Sequence, residues 1–579
     1  MQKGYDRREF MQYFAGLGLG STLLPGILWA EAANGADITA STIAAAEELA
    51  GLKFDDAERA MMLEGLKTQE ARLEALHKIP LNNSVSPAIV FNPMPAGRFP
   101  AQSTRRAMYR SPVASKSLPA SDEELAFLPV TELSEFIRRG KLKPSRLTEI
   151  YLARLKKYDP VLRCVITLTE ERALKQAKQA DEEIARGNYR GPLHGIPWGA
   201  KDLLAVKGYK TTWGAGPYKD QVIDEDATVV QRLDRAGAIL VAKLTLGELA
   251  QGDMWYGGRT RNPWKVDSGS SGSSAGPASA TAGGLVGFSI GSETLGSISS
   301  PSTVCGTTGL RPTYGRVPKT GAMALSWTMD KLGPICRSVE DCALVLDAIY
   351  GPDGKDKSAV PAAFTWDARI SPKSLRVGYA KSAFDIPQLD PKDEKRTLHG
   401  TKQWDDRALD VLRGMGLNLI PVEFPDLPYD AMRIILVAEA AAAFDDLTRS
   451  NRDSELVQQS RFDWANTFRT ARFIPAVDYI NANRVRSNTI EAWDELMKKV
   501  DVIVTPTNAA GVTQLVATNL TGHPAVILPN GFRPDGTPVS LTFLGNLFEE
   551  GKLLSVANAY QKATGFHKVH PAIPPTPAK

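Results

Sequence analysis

The chain has 579 residues and 43% of them are apolar, which is enough for a large buried core and excludes a disordered or collagen-like protein. Its 69 Lys and Arg against 65 Asp and Glu give a net charge of +4, too small for the electrostatic footprint of a nucleic-acid-binding protein. The four cysteines form no CxxC pair and the six histidines lack a spacing such as HExxH, so we predict no metal site.

The first 32 residues have the features of a twin-arginine signal peptide. Arg7 and Arg8 precede an apolar stretch over residues 14–30, and Ala30 and Ala32 are small residues of the kind that signal peptidase needs. The apolar stretch contains four glycines and a proline and falls short of the ~20 residues that span a bilayer. We predict cleavage after Ala32, export to the periplasm and no membrane span after cleavage. The alternatives are an uncleaved anchor and a basic N-terminus that arose by chance.

Residues 33–117 form an extension. Helices are predicted over residues 39–49 and 56–77, the second opening with a capping box between Asp55 and Glu58. Prolines then recur over residues 80–119, which removes backbone donors and predicts an extended segment over the surface of the main domain. The sequence leaves open whether the extension is a lid over a site or a stabilising brace.

The main domain, residues 118–579, alternates amphipathic helices with short apolar runs. Helices are predicted over residues 131–139, 145–157, 170–186 and 229–235, and strands over residues 238–242, 375–379, 417–422 and 500–505. Residues 430–500 have a largely helical pattern. This alternation predicts an α/β fold with a mixed central β-sheet covered by helices on both faces, preceded by the N-terminal helical extension.

A stretch rich in serine and glycine, residues 267–302, lies in the middle of this domain. Its composition is that of a flexible linker, but an apolar run over residues 285–290 interrupts it and core-like sequence follows at once. Small residues and hydroxyls suit a site where bare backbone N–H groups face a developing oxyanion. We therefore expect a nucleophilic serine here.

The base that would activate this serine is less obvious, because no histidine lies near the stretch. The string Gly272 to Gly276 fits GxSxG with Ser274 at its centre, which would make the protein an esterase of the α/β-hydrolase type. That motif requires a buried strand directly before it, and the preceding residues are polar. A buried lysine is the other choice, since burial favours its neutral form, and Lys201 lies in an apolar, small-residue setting.

Six informative segments follow one another along the chain: residues 195–202, 271–276, 293–299, 305–313, 501–507 and 519–525. In this order they resemble the amidase-signature family of serine amidohydrolases, which includes fatty acid amide hydrolase and the A-type component of glutaminyl-tRNA amidotransferase. The resemblance covers about residues 118–571.

The resemblance implies a role for each matching residue. Ser297 would be the nucleophile, Ser273 the bridging serine behind a cis peptide bond, and Lys201 the base. Ser274 would contact the substrate. The oxyanion hole would be formed by the backbone N–H groups of Thr294, Leu295, Gly296 and Ser297.

Three positions depart from the family's pattern. Leu295 and Ala275 replace glycines, and Ser299 replaces a common arginine. Leu295 does not adopt a positive φ easily, and its side chain would narrow the acyl pocket.

The function that the resemblance implies is hydrolysis of a carbon–nitrogen bond in a small linear, non-peptide amide, without a cofactor. We expect no nucleic-acid partner. A homodimer is one expectation for the oligomeric state, which the sequence leaves open. The alternatives are an amidotransferase A-like subunit, and a catalytically silent binding protein on the same fold.

Overall fold

The structure, a computed structural model, describes residues 38–101, 108–113 and 117–574. The signal peptide predicted in residues 1–32 lies outside these ranges. Within them, no helix combines the length and the apolar character that a membrane crossing requires.

The extension begins with the two predicted helices, Ala40–Ala50 and Asp56–His77. The predicted capping box is confirmed, because Asp55 accepts a hydrogen bond from the Glu58 backbone at 2.8 Å and Glu58 accepts one from the Asp55 backbone at 2.8 Å. No residue of the second helix is buried. Residues 78–101 then follow without a helix or strand, as their prolines predicted.

Strands are numbered along the chain. They are β1 (Val165–Leu168), β2 (Pro197–Lys201), β3 (Ile239–Leu244), β4 (Met254–Trp255), β5 (Gly258–Arg259), β6 (Arg261–Asn262), β7 (Lys265–Gly269), β8 (Phe288–Glu293), β9 (Thr308–Arg311), β10 (Lys331–Cys336), β11 (Val377–Ala380), β12 (Leu389–Asp390), β13 (Asp393–Thr397), β14 (Leu419–Val422), β15 (Val502–Pro506), β16 (Ala525–Phe532) and β17 (Pro538–Gly545).

Eleven of these strands form one sheet in the order β1-β3-β2-β8-β10-β9-β16-β17-β15-β11-β14. The sheet is mixed: β2 is parallel to both β3 and β8, whereas β10 is antiparallel to both β8 and β9. Every residue of β2, β3, β8, β10 and β17 is buried. Successive side chains of a strand point to opposite faces, so both faces of the sheet are covered.

Helices supply this cover, and the predicted α/β class with its mixed sheet is confirmed. The helices of the main domain are Asp122–Phe127, Val130–Arg138, Pro144–Leu162, Glu170–Ala185, Thr228–Arg235, Ala275–Ala282, Ser299–Cys305, Val339–Ile349, Lys381–Asp385, Lys402–Gly414, Ile434–Ala443, Asp445–Arg449, Trp464–Ala471, Ala476–Met497, Gln514–Thr521 and Glu550–Thr564. The helix predicted over residues 145–157 is longer than expected. It ends only where Arg163 takes a left-handed conformation with φ 49°.

Two neighbouring parallel strands bring the serine-rich stretch to Lys201. Lys201 is the last residue of β2 and Glu293 is the last residue of β8. Because parallel strands end at the same edge of a sheet, the residues after Glu293 lie beside Lys201. The helix Ala275–Ala282, which begins directly after Ser274, packs against β8.

Candidate active site

Lys201 lies at the centre of a cluster of serine hydroxyls. Its Nζ donates to Ser273 Oγ at 2.8 Å, to Ser292 Oγ at 2.8 Å and to Ser274 Oγ at 3.2 Å. The side chain has no exposed surface. The three hydroxyls can accept all three N–H donors of a lysine ammonium. The Lys201 ammonium is therefore fully hydrogen-bonded, but no carboxylate among the described residues contacts it.

Burial lowers the pKa of Lys201 to about 7, and the carboxylates of Asp330 and Glu293 oppose this shift from a distance. Asp202, the next residue, does not hold the lysine in its charged form. Its carboxylate lies 2.7 Å from Lys243 Nζ in a fully buried ion pair. Near neutral pH, Lys201 is thus able to take up and release a proton.

Ser273 is held by a tightly packed backbone. The peptide bond between Gly272 and Ser273 is cis, as the resemblance implied. A Cβ atom at Gly272 would lie 1.7 Å from the carbonyl oxygen of Gly252, so only glycine fits at this position. The carbonyl oxygen of Ser273 accepts a hydrogen bond from Gly247 N at 3.3 Å.

The loop that carries Ser297 follows β8. The carbonyl oxygen of Ser297 accepts a hydrogen bond from Ser274 N at 3.0 Å, which joins this loop to the serines around Lys201. Gly296 has φ 98°, whereas Leu295 is outside the left-handed region. The glycine conformation is therefore needed only at residue 296, which explains how the loop accommodates a leucine.

The loop from Thr294 to Ser297 carries four backbone N–H groups. Within the part of the chain that the structure describes, none of them donates to another residue. Such N–H groups are what an oxyanion hole requires. They belong to the four residues that the resemblance assigned to it, Thr294, Leu295, Gly296 and Ser297.

Glu293 holds the backbone that directly follows Ser297. Its carboxylate accepts hydrogen bonds from Ile298 N at 2.9 Å and from Ser299 N and Oγ, both at 2.8 Å. Arg311 at 2.8 Å and Asn519 at 2.9 Å bind the other carboxylate oxygen. Burial opposes ionisation, but the Arg311 charge and these hydrogen bonds lower the pKa of Glu293 to about 2. Ser299 thus contributes its hydroxyl to the anchor of the loop.

Asp330 binds the start of the loop, at Thr294. Its carboxylate accepts a hydrogen bond from Thr294 Oγ1 at 2.6 Å, and the backbone N–H groups of Leu325 and Ser326 donate to it at 2.8 and 3.0 Å. Burial raises the pKa of this carboxyl. Asp330 therefore holds the first residue of the candidate oxyanion hole.

Ser274 has no exposed surface. Besides accepting from Lys201, its hydroxyl donates to the carbonyl oxygen of Ser292 at 3.1 Å and accepts from Ser292 N at 3.2 Å. The substrate contact implied for it stays a prediction. The strand before the GxSxG string, β7, pairs with β6 in a two-stranded sheet separate from the large one, so the string does not form the α/β-hydrolase nucleophile motif.

The structure thus brings Lys201, Ser273 and Ser274 into contact and joins Ser297 to them through the backbone. Sequence reasoning missed the roles of Ser292, Glu293 and Asp330. A signal existed for the first two, because they complete the strand β8 that begins within the apolar run over residues 285–290. No comparable pattern marks Asp330.

Comparison with known proteins agrees with this geometry. A sequence profile of the Amidase family matches residues 146–517. The chain belongs to the amidase family. This confirms the resemblance drawn from the motifs, and the extension lies outside the matched residues.

Relatives within the amidase family match over nearly their whole length. The A-type component of glutamyl-tRNA(Gln) amidotransferase from Acinetobacter baumannii is 33% identical over 487 residues, which cover 78% of this chain and 99% of that protein. The peptide amidase of Stenotrophomonas maltophilia is 30% identical with a TM-score of 0.67, covering 77% and 98% of the two chains. An amidase family protein from Bacillus anthracis is 25% identical with a TM-score of 0.68, covering 78% and 93%.

Proposed function

We propose that this amidase hydrolyses the carbon–nitrogen bond of a linear, non-peptide amide through an acyl-enzyme intermediate. One observation carries the proposal: Lys201, with a pKa lowered to about 7 by burial, lies 2.8 Å from the hydroxyl of Ser273. A base of this pKa is half deprotonated at neutral pH, which suits proton transfer in both directions.

In the first step, neutral Lys201 takes the proton of Ser273 while Ser273 takes the proton of Ser297. The Ser297 Oγ forms a bond to the amide carbonyl carbon, and the carbonyl electron pair moves to oxygen. The C–N bond then breaks. The proton held by Lys201 returns through Ser273 to the leaving nitrogen, which departs as an amine or ammonia.

In the second step, water attacks the acyl carbon. The same relay takes one proton from water and returns it to Ser297, releasing a carboxylic acid. The free N–H groups of residues 294–297 would stabilise the oxyanion in both steps. A single donor of this kind is typically worth about 3 kcal/mol.

We propose a small-molecule amide as the substrate class. A cavity of about 340 Å³ lies beside Thr294 and Ser292, and this volume is at the lower end of the range of small-molecule sites. We further propose that the enzyme acts in the periplasm, on the ground of the predicted signal peptide.

An amidotransferase A-like subunit is the second candidate, because the Acinetobacter baumannii relative bears that name and matches over 99% of its length. The two candidate functions differ in the compartment where the protein would act and in the partner proteins that it would bind. Recovery of this chain from the cytoplasm in a complex with a tRNA-recognising protein would favour the amidotransferase.

The proposed chemistry is tested with Ser297→Ala, Ser273→Ala and Lys201→Ala proteins on a panel of aryl and aliphatic amides. Each variant should lose turnover by several orders of magnitude. Ser300→Ala, in the helix that directly follows the loop, is the matched control. Retained turnover in the Ser297→Ala protein would reject the mechanism. Failure of a fluorophosphonate probe to label Ser297 in the wild-type protein would favour a silent binding protein.

A further inference from the structure

The extension reaches the cavity beside the candidate active site. We call residues 82–95 the strap. Side chains of the catalytic domain and of the strap line the same cavity, Ser292 and Thr294 from the former and Asn83, Ser84 and Ser86 from the latter. The strap precedes residues 146–517, which match the amidase family.

Asn83 anchors one end of the strap. Its side-chain oxygen accepts from Ala324 N at 2.8 Å, and its side-chain nitrogen donates to the carbonyl oxygens of Ala324 at 2.9 Å and Ala443 at 3.3 Å. The Asn83 side-chain amide thus donates to and accepts from the backbone of Ala324, as the backbone of a paired β-strand would. A side chain without both a donor and an acceptor cannot replace it.

Phe91 and Pro93 anchor the other end. The Arg486 guanidinium lies 3.5 Å from the centre of the Phe91 ring, which also packs edge-on against Tyr314 with 5.1 Å between ring centres. Pro93 is buried close to Gly522, where an added Cβ would lie 2.8 Å from the proline ring. Between these two anchors lie Ser84 and Ser86, which line the cavity.

Contact with the cavity alternates along this part of the strap. Ser84 and Ser86 line the cavity, whereas Val85 does not and is 54% exposed. A turn produces this arrangement, because Val85 N donates to the carbonyl oxygen of Asn82 at 2.9 Å. Two positions therefore border the cavity, and the one between them does not.

The anchor is also connected to the candidate oxyanion hole. Asn83 binds the backbone of Ala324, and the next residue, Leu325, donates its N–H to Asp330. Asp330 in turn accepts from the hydroxyl of Thr294. A continuous path of hydrogen bonds and one peptide link thus runs from the strap to the loop of Ser297.

We infer that the strap is a specificity element: the side chains at positions 84 and 86 set the size of the substrate group that the cavity accepts. The inference rests on the proposed function, because it concerns which amides are hydrolysed. Two serines are small and leave the cavity open. A larger side chain at either position would shorten it and exclude bulky amides.

The experiment compares Ser84→Trp and Ser86→Trp with Val85→Trp, the matched control at the exposed position between them. Initial rates are measured for a homologous series of amides in which one group grows from methyl to naphthyl. Active sites are counted by mass spectrometry after labelling with a small ethyl fluorophosphonate, so that misfolded protein does not enter the rates. We expect kcat/KM for the largest amide, relative to the smallest, to fall at least tenfold in both serine variants and to stay unchanged in Val85→Trp.

The outcomes separate the inference from the function on which it rests. If the wild-type protein is labelled and hydrolyses amides but the ratio is the same in all three variants, the strap is a brace and the inference is wrong. The same conclusion follows if Val85→Trp changes the ratio as much as the serine variants do. If the wild-type protein is neither labelled nor active, the proposed function is rejected and the inference with it.

Discussion

Glu293 and Arg311 form an ion pair in which both side chains are fully buried and 2.8 Å separates their charged atoms. The same carboxylate holds the backbone of Ile298 and Ser299, next to Ser297. Removing one partner of a buried pair leaves the other charge uncompensated, at a cost of about 3–5 kcal/mol.

Glu293→Gln should therefore lower the free energy of unfolding by about 3 kcal/mol and reduce kcat, because the loop loses its anchor. Urea unfolding and steady-state kinetics measure both effects. Glu495→Gln removes an exposed carboxylate that pairs with Lys498 in an i,i+3 contact, so it serves as the control and should stay within about 0.5 kcal/mol of wild type. Equal stability of the two variants would contradict the anchoring role.

The rate should depend on pH through Lys201. Its pKa of about 7 means that the base form is lost as the pH falls below neutrality. We expect kcat/KM to drop about tenfold per pH unit well below pH 7 and to level off above it. A profile that rises only above pH 9 would show that Lys201 keeps its ordinary pKa.

Replacing Lys201 by methionine should separate activity from stability. The pKa of Lys201 is about 7 in the folded protein against 10.5 for an ordinary lysine, so the unfolded chain binds more protons between these values. Wild-type stability therefore rises with pH across this window, and the lysine is destabilising at and below pH 7. Lys201→Met should lose about 10²–10⁴-fold in rate and melt at the same or a higher temperature at pH 7. A marked loss of stability would contradict the lowered pKa.

The Leu295 side chain should limit the size of the acyl group that the site accepts. It is half-buried beside Ser297 and has an ordinary φ, so Leu295→Gly removes a side chain without relieving backbone strain. We expect kcat/KM to rise for amides with branched acyl groups relative to acetamides. The converse substitution, Gly296→Ala, puts a Cβ on a residue with φ 98° and should lower activity towards all amides alike.

Export by the twin-arginine route predicts a mature N-terminus at Ala33. Replacing Arg7 and Arg8 by lysine should leave the uncleaved precursor in the cytoplasm. Mass spectrometry of periplasmic and cytoplasmic fractions measures this, with Lys3→Ala as the control. An intact N-terminus on periplasmic wild-type protein would show that the segment is an uncleaved anchor.

The sequence was most informative where local pattern decides structure. The capping box of Asp55 and Glu58 and the strand that became β3 could be predicted because turn chemistry and hydrophobic runs act over a few residues. The amidase family could be predicted because its motifs keep their order along the chain.

The contacts that complete the site join residues far apart in sequence. Lys201 and Ser273 are 72 residues apart, and Asn83 and Ala324 are 241 apart. Only the order of strands in the sheet brings the first pair together, and only packing of the strap brings the second. No local pattern near Asn83 or Asp330 could have assigned their roles.

The pairing of β2 with β3 is irregular between Trp198 and Gly199. This irregularity lies two residues before Lys201, which faces the serines, while Asp202 faces Lys243. Since neighbouring side chains of a strand point in opposite directions, a slip of one residue would present a carboxylate to the serines and bury the lysine elsewhere. The irregularity skips Val241 of β3 and leaves the pairing of β2 with β8 unbroken. An insertion or deletion in β2 itself would therefore exchange the base for an acid beside the serines without altering a single residue of the site.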